Sequence, residues 1–368
     1  MKNPVAIFFL SLFSAVILLV WTQQLFNPIK LAGLQGAYDP GKWPEWSARS
    51  WFSGNYQMRA DHYLKYNTAF NGELIRLRNQ FDYSVFGNIN TMLLLGKENY
   101  LFDPSYVEAM EGKDLVHDSI LHNSMQQLKG FISSDSIPVL ILFAPNKAAF
   151  YSEYLPSLAV PVEQTNRSRY KKHLTEAGIP YIDFDQWFYS IRDTSSWPLI
   201  PKYGAHWSTW GSAFAGDSVI NILRQLLQTD LSDYTITGTD TTSEARYQDD
   251  DYLPSLNLMY KWKSPVLAYP VLQFHEGVKP NILFISDSFI WNFYDIGMMD
   301  HCMDQKSHVI YYFKTIYDMQ RNQLGAADKF PIEKILEGRD AIVILSSDPS
   351  LKNFGFGFFE ATGKSSQP

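Results

Sequence analysis

Hydrophobic positions along the chain fall into three regimes. From Pro4 to Trp21 the run PVAIFFLSLFSAVILLVW carries no charge, and 18 residues reach the short end of the roughly 17 to 25 that cross a bilayer. From Gln23 to about Asp61 Pro, Gly and aromatic residues mix with no sustained period, which predicts a connector after the apolar run. Between Ala60 and Phe81 apolar residues recur at spacings of three and four, which predicts a helix. The stretch NTMLLLGKENYLFDP then reads as a strand, a turn over Gly96 to Asn99 and a second short strand.

Beyond Tyr106 the alternation becomes regular. Helices are predicted over 107–133, 163–177 and 209–228, and strands over 138–143 (PVLILF), 180–184 (PYIDF), 281–285 (NILFI), 308–312 (HVIYY) and 341–345 (AIVIL). A long irregular segment is expected after the third helix. The strands are apolar throughout rather than alternating, as in strands covered on both faces, and helices separate most of them. That combination predicts an α/β domain built on a mostly parallel sheet flanked by helices. The expected layout is a transmembrane anchor over 1–22, a connector and N-terminal extension over 23–105, the α/β domain over 106–358 and a polar tail over 359–368.

In open α/β sheets the ligand crevice lies beyond the carboxyl ends of the strands. There this chain places Asn146 and Lys147, Asp185, the run Ser286, Asp287 and Ser288, and the sequence SSDPS at 346–350. Ser288 has two readings. Ser and Asp are the usual caps of a helix start, but a serine at a strand-to-helix turn can also act as a nucleophile if a base lies within reach. Among the eight histidines, His62, His117, His122 and His173 fall in predicted helices. His206 stands instead in the Pro/Gly loop PLIPKYGAHWSTWG, just before a helix, where its ring can point across the rim.

Composition narrows the partners. Lys and Arg number 31 against 38 Asp and Glu, a net charge of −7, so no general attraction to nucleic acid is expected. The basic cluster NRSRYKKH at 166–173 is read as a solvated helix face. The single Cys302 excludes a disulfide framework and a Cys-rich metal site. No zinc-ligand spacing and no Gly-rich phosphate loop occurs, so neither metal nor cofactor is expected. Lys2 and the terminal amine favour an N-in orientation, and no small-x-small cleavage pattern follows the apolar run. An uncleaved anchor with residues 25–368 exported is the expectation; a cleaved signal peptide would export the body as well.

Several blocks occur in a familiar order: the N-terminal apolar run, GKENYLF at 96–102, APNKAAFYSEYLP at 144–156, YIDF at 181–184, AHW at 205–207, SDSF at 286–289 and DAIVIL at 340–345. On these blocks the chain resembles the alginate O-acetyltransferase (AlgJ/AlgX-like) branch of the SGNH hydrolases. The resemblance implies an SGNH-like enzyme, single-pass in the inner membrane with its main domain on the periplasmic side. It would take an acetyl group onto a serine and pass it to a hydroxyl of an exopolysaccharide. A multi-spanning membrane O-acyltransferase would deliver the acetyl group. By matching position Ser288 is the implied nucleophile and His206 the implied base. Asn146 is a candidate oxyanion donor, Lys147 a candidate rim cation and Trp207 a candidate substrate contact.

The chain departs from the family pattern at one position. The pattern is Asp-x-His-Trp, whereas this sequence reads Gly204-Ala205-His206-Trp207. In serine proteases, neutralising the orienting Asp costs about four orders of magnitude in turnover. Either a carboxylate from elsewhere takes its place, with Asp183 and then Asp185 the first candidates, or the protein is a glycan-binding or assembly component without turnover. Asp183 and Asp185 have the alternative reading of helix caps before QWFYSIR. An acetylesterase would use the same residues as a transferase.

Overall fold

The computed structural model describes residues 3–36, 40–135, 137–156 and 159–365; Lys2, read above as an orienting charge, and residues 366–368 lie outside them, while the start of the expected polar tail belongs to the helix Phe358–Ser365, with Phe359 buried in the core. The chain divides into two compact units, one of Met1–Thr91 with Leu253–Trp262 and the other of Met92–Tyr252 with Lys263–Pro368. The larger unit thus begins at Met92 where 106 was expected, because it takes in the hairpin of β1 (Leu94–Leu95) and β2 (Leu101–Phe102).

The smaller unit opens with the helix Pro4–Phe26, long and apolar enough to cross a membrane. Asn3 caps it, accepting from the Val5 N–H. The single helix expected over 60–81 is two helices, Asn55–Asn67 and Asn71–Phe86. The break falls where Thr68 turns extended and Phe70 adopts φ 64°. Asn79 on the second helix donates to Leu256 O at 3.0 Å, and the Gln35 N–H donates to Asn257 Oδ1 at 2.9 Å, which ties residues 253–262 to this unit.

The larger unit is an α/β fold around a seven-stranded sheet. Its strands are β3 (Val139–Phe143), β4 (Tyr181–Asp183), β7 (Ile282–Ser286), β8 (His308–Tyr311), β9 (Thr315–Tyr317), β10 (Gln323–Ala326) and β11 (Ala341–Ser346), in the order β10-β9-β8-β7-β11-β3-β4. The five strands from β8 to β4 are parallel, and β9 and β10 run antiparallel at one edge. Every residue of β3, β7 and β11 is buried. Their side chains alternate between two cores, as a period of two requires. Leu140, Leu142, Phe284, Val343 and Leu345 face the helix Thr209–Leu227 through Ala213, Val219 and Leu223. Ile141, Phe143, Ile285, Ile342 and Ile344 face the helix Asp118–Asp135 through Leu121, Met125 and Leu128.

Two expectations change here. The helix expected over 107–133 is interrupted, forming Pro104–Met110 and Asp118–Asp135. Gly112 turns the chain between them at φ +65°, and a Cβ there would meet Gln164 O at 2.7 Å. The segment expected to be irregular after 228 forms a two-stranded antiparallel ribbon, β5 (Asp233–Thr242) with β6 (Leu267–His275). Only Tyr234 of β5 is buried, and its Thr-rich sequence gives no apolar run to read.

Candidate functional site

The strand ends form one continuous polar rim, and most of its side chains are spent holding the rim together. After β3, the Asn146 N–H donates to Asp185 Oδ1 beyond β4 at 2.9 Å, and Asn146 Nδ2 donates to Asp348 Oδ2 beyond β11 at 2.7 Å. After β7, Asp287 Oδ2 accepts from the Ser347 N–H at 2.7 Å and from Ser350 Oγ at 2.9 Å. Buried polar groups need such partners, because an unmet one costs about 1 to 3 kcal/mol.

Ser288 stands at the first position of the turn that follows β7. Asp287 caps that turn, its Oδ1 accepting from the Phe289 N–H at 3.2 Å. The cap role raised above for this serine therefore belongs to its neighbour. Ser288 Oγ lies 2.8 Å from His206 Nε2. The imidazole rests edge-on against Phe289, ring centroids 4.8 Å apart.

His206 is held from several sides. Its Nδ1 is 3.1 Å from Asp251 Oδ2, while the other oxygen of that carboxylate accepts from the Ala205 N–H at 2.9 Å. Tyr252 N–H donates to Tyr203 O at 3.0 Å. Beyond the imidazole, Ser208 caps the helix Thr209–Leu227, accepting from the Gly211 N–H at 2.9 Å and donating to Pro198 O at 2.6 Å. Asp249 Oδ1 accepts from the Thr209 N–H at 2.9 Å. Burial pushes the Asp249 carboxyl up to about 7, against the lowering effect of that Thr209 N–H.

The carboxylate on His206 is thus Asp251, and neither Asp183 nor Asp185 takes that place. Asp183 caps the helix Phe184–Ile191 and pairs with Arg167 Nη1 at 2.8 Å and with Lys171 Nζ. Burial would raise its pKa, but the two cations overcome this and hold it below the ordinary carboxylate value. Asp185, beside Asn146, is pushed up to about 6 by burial, with Arg167 opposing. Arg167 also bonds Asp348 through Nε at 2.7 Å and donates to Ala144 O. Arg167 is therefore a buried hub, not the solvated helix face expected of the 166–173 cluster.

Three further expectations are corrected by burial. Lys147 is 2 % exposed and is no rim cation: its Nζ donates to Lys202 O at 2.7 Å and Gly204 O at 2.8 Å, bracing the loop that carries His206. Burial drives its pKa well below the ordinary lysine value, with Asp251 opposing. Asn146 spends its amide oxygen on the Ala148 and Ala149 N–H groups and its Nδ2 on Tyr106 O and Asp348, so no donor is left for an oxyanion. Trp207 is fully buried, stacked on Phe293 at 5.1 Å and edge-on to Phe184 and Phe289. A ring enclosed in this way packs the core and meets no substrate.

Position 204, where an orienting Asp was sought, has no room for a side chain. A Cβ there would lie 2.7 Å from Pro201 Cγ and 2.8 Å from Gln248 O. The segment 248–251 packs directly over Gly204 and brings Asp251 to the far side of the imidazole. Asp251 was missed because it lies 45 residues from His206, in a run of three acids, YQDDDY, that reads as solvated loop. Among the described residues no His, Cys, Asp and Glu grouping could hold a metal ion.

A serine hydroxyl hydrogen-bonded to an imidazole, whose other nitrogen meets a carboxylate, can lose its proton to that imidazole while attacking a carbonyl. Residues 93–265 match the family model of the SGNH hydrolase-like domain of the acetyltransferase AlgX. That span includes His206 and Asp251 and ends before Ser288. No curated protein matches the chain. Similar solved structures include the O-acetyltransferase domain of Pseudomonas putida AlgJ, at 14% identity, TM-score 0.46 and coverage of 71% of this chain and 92% of that one. Pseudomonas aeruginosa AlgX gives 12% identity, TM-score 0.46 and coverage of 74% and 67%. Bacillus cereus PatB1 with a sulfonyl adduct gives 13% identity, TM-score 0.44 and coverage of 73% and 99%. The match over 93–265 covers just under half of the chain, and what it shows is similarity to that SGNH hydrolase-like domain.

Proposed function

We propose that this protein is an exported O-acetyltransferase that moves an acetyl group through a Ser288 acyl-enzyme to hydroxyls of a polysaccharide. Ser288 Oγ attacks the acyl carbonyl and its proton passes to His206 Nε2. The tetrahedral intermediate collapses, and the leaving group takes that proton from His206. A sugar hydroxyl then repeats the sequence in reverse, with His206 drawing its proton and Ser288 regaining one. Asp251 holds Nδ1–H, so that Nε2 is free to accept, and stabilises the imidazolium that forms between the two transfers. The helix Pro4–Phe26 would tether the domain to the inner membrane with the domain outside the cytoplasm, where a multi-spanning O-acyltransferase could present the donor.

One observation carries this reading: the contact of 2.8 Å between Ser288 Oγ and His206 Nε2, with Asp251 at 3.1 Å on the opposite nitrogen. A carboxylate in that place removes the reason for preferring a degenerate, purely glycan-binding protein. The test is to incubate the full chain in detergent with p-nitrophenyl acetate and follow the intact mass. Wild type should gain one acetyl group and Ser288→Ala none. An unmodified wild type, or equal labelling of the two, would remove the reading. Product analysis with water against oligosaccharide as acceptor separates a transferase from an esterase.

A further inference from the structure

At the amino ends of the parallel strands one arginine is half-buried without a counter-charge. Arg339 stands two residues before β11. Its Nε donates to Ile335 O at 2.7 Å, its Nη1 to Asn281 Oδ1 at 2.7 Å and to Lys306 O at 2.6 Å, and its Nη2 to His308 Nδ1 at 2.7 Å. All of these acceptors are neutral, and among the described residues Arg339 takes part in no ion pair. A guanidinium has five N–H groups, so one of those on Nη2 is left without an acceptor. Burial alone pulls its pKa down to about 10, and it stays charged at neutral pH. Charges withdrawn from water are ordinarily paired, because leaving water is costly.

The arginine lines a cavity of about 80 Å³ between those strand ends and the short helix Ile332–Leu336. Ile310, Ile316 and Ile335 give the cavity a buried apolar wall, and the exposed side chains of Leu324 and Phe330 line it as well, so it opens to solvent past them. His308 and Lys334 line the same space, and among the described residues no carboxylate does. An arginine only donates, so His308 accepts at Nδ1 and carries its proton on Nε2. Among the described residues neither that Nε2–H nor the Lys334 ammonium has a hydrogen-bonding partner. Burial and the Arg339 charge hold the imidazole below its ordinary value, with Asp318 opposing. Leu283 pairs with His308 in the sheet, and Ser288 lies five residues farther on, roughly 16 Å at the rise of a strand.

We propose that this cavity binds a short-chain carboxylate, its oxygens meeting the unspent N–H groups of Arg339 and His308 and its tail lying on Ile310, Ile316 and Phe330. Volume selects the class. A water needs about 10 to 15 Å³ and a cavity of about 150 Å³ takes benzene; one of about 80 Å³ therefore takes on the order of four to six non-hydrogen atoms, the span from acetate to butyrate. An inorganic anion would leave the isoleucine wall unused, and a neutral molecule would leave the guanidinium uncompensated. A carboxylate supplies the charge-assisted bonds that the neutral acceptors around Arg339 do not. Lys334, exposed on its helix, adds a positive field at the mouth. The site lies at the opposite end of the sheet from the Ser288–His206 pair and does not rest on the acyl-enzyme reading.

The test is a titration of the full chain in detergent with sodium butyrate at constant ionic strength, followed by saturation transfer to the butyrate methyl protons. A saturable signal with a dissociation constant on the order of 1 mM is expected. Butyramide, the same shape without the charge, should bind at least about tenfold more weakly, and equimolar inorganic phosphate should not displace butyrate. Arg339→Gln should weaken butyrate at least about tenfold, but it also removes bonds that hold Ile335 O and Lys306 O. Leu324→Glu leaves the guanidinium in place and, from an exposed position, brings a carboxylate of the chain's own to the mouth; it should weaken butyrate to a similar degree with the thermal midpoint kept. Butyrate that never saturates, butyramide that binds as tightly, displacement by equimolar phosphate, or a Leu324→Glu variant within about twofold of wild type would each overturn the proposal. None of these readouts involves acetyl transfer, so failure here leaves the Ser288 acyl-enzyme untouched.

Discussion

Replacing Asp251 with Asn should disable the site while leaving its shape intact. The Ala205 N–H donates to Asp251 Oδ1 at 2.9 Å and the imidazole Nδ1 lies 3.1 Å from Oδ2. In the Asn variant the amide oxygen keeps the backbone N–H, and the amide nitrogen then faces Nδ1. That nitrogen is a donor, so Nδ1 becomes the acceptor and the imidazole proton moves to Nε2, where it blocks transfer from Ser288. The same exchange in a fully enclosed triad costs about four orders of magnitude, or about 5 kcal/mol at 1.36 per decade. The Asp251 side chain is 29% exposed, so water shares the Nδ1 contact and a loss of about 1,000-fold in the acylation rate is expected. Placing an Asp at position 204 should not help. In a Gly204→Asp, Asp251→Asn double variant the new Cβ would meet Pro201 Cγ and Gln248 O at 2.7 and 2.8 Å, so the rate should stay at the level of the single variant while the thermal midpoint drops. Burst kinetics with p-nitrophenyl acetate, alongside thermal unfolding, measures both. The argument for Asp251 collapses if Asp251→Asn acylates within about threefold of wild type, or if the double variant regains activity.

Lys147→Met should leave Lys202 O and Gly204 O without their donor, at about 1 to 3 kcal/mol for each buried acceptor, and loosen the His206 loop; a lower urea midpoint together with slower acylation is expected, and an unchanged midpoint argues against the brace. Asp249 should make stability fall as pH rises. Its folded pKa of about 7 stands above the ordinary 3.8, so between those values the folded state holds a proton that the unfolded state has released, and the contribution present at acid pH is lost as pH climbs through about 7. Asp249→Asn keeps the acceptor for the Thr209 N–H and removes the titration; urea unfolding at pH 5 and pH 8 should show the variant gaining on wild type at the higher pH, by an amount on the order of a few kcal/mol. A constant difference across that range would contradict the burial argument.

The parts of the site legible in the sequence were those announced by strand ends. Apolar runs such as NILFI fixed where the sheet would stop, and a Ser-Asp-Ser run at such a stop is informative because the crevice of an α/β sheet lies there. His206 stood out for its loop. Asp251 left no comparable mark, since an acid in a Tyr- and Asp-rich stretch has a solvated reading and its role depends on a packing contact with Gly204 that no local pattern encodes. Asp183 was the nearest carboxylate by topology, but Arg167 and Lys171, four residues apart on one helix face, claimed it; that pair was visible and was read as surface charge. Lys147 and Trp207 show the same limit from the other side. Their residue types suggest a rim cation and a sugar platform, and only the packing around them reveals that neither reaches solvent.

The cross-linked rim also bears on how such a protein could diversify. Asn146, Asp185, Asp287 and Asp348 are each committed to a neighbouring strand end, which leaves few groups at the sheet's edge free to contact a ligand. If the chain is the transferase proposed above, recognition of its acceptor would fall to segments farther out, which could be exchanged over evolutionary time without retuning the Ser288–His206 pair beneath them.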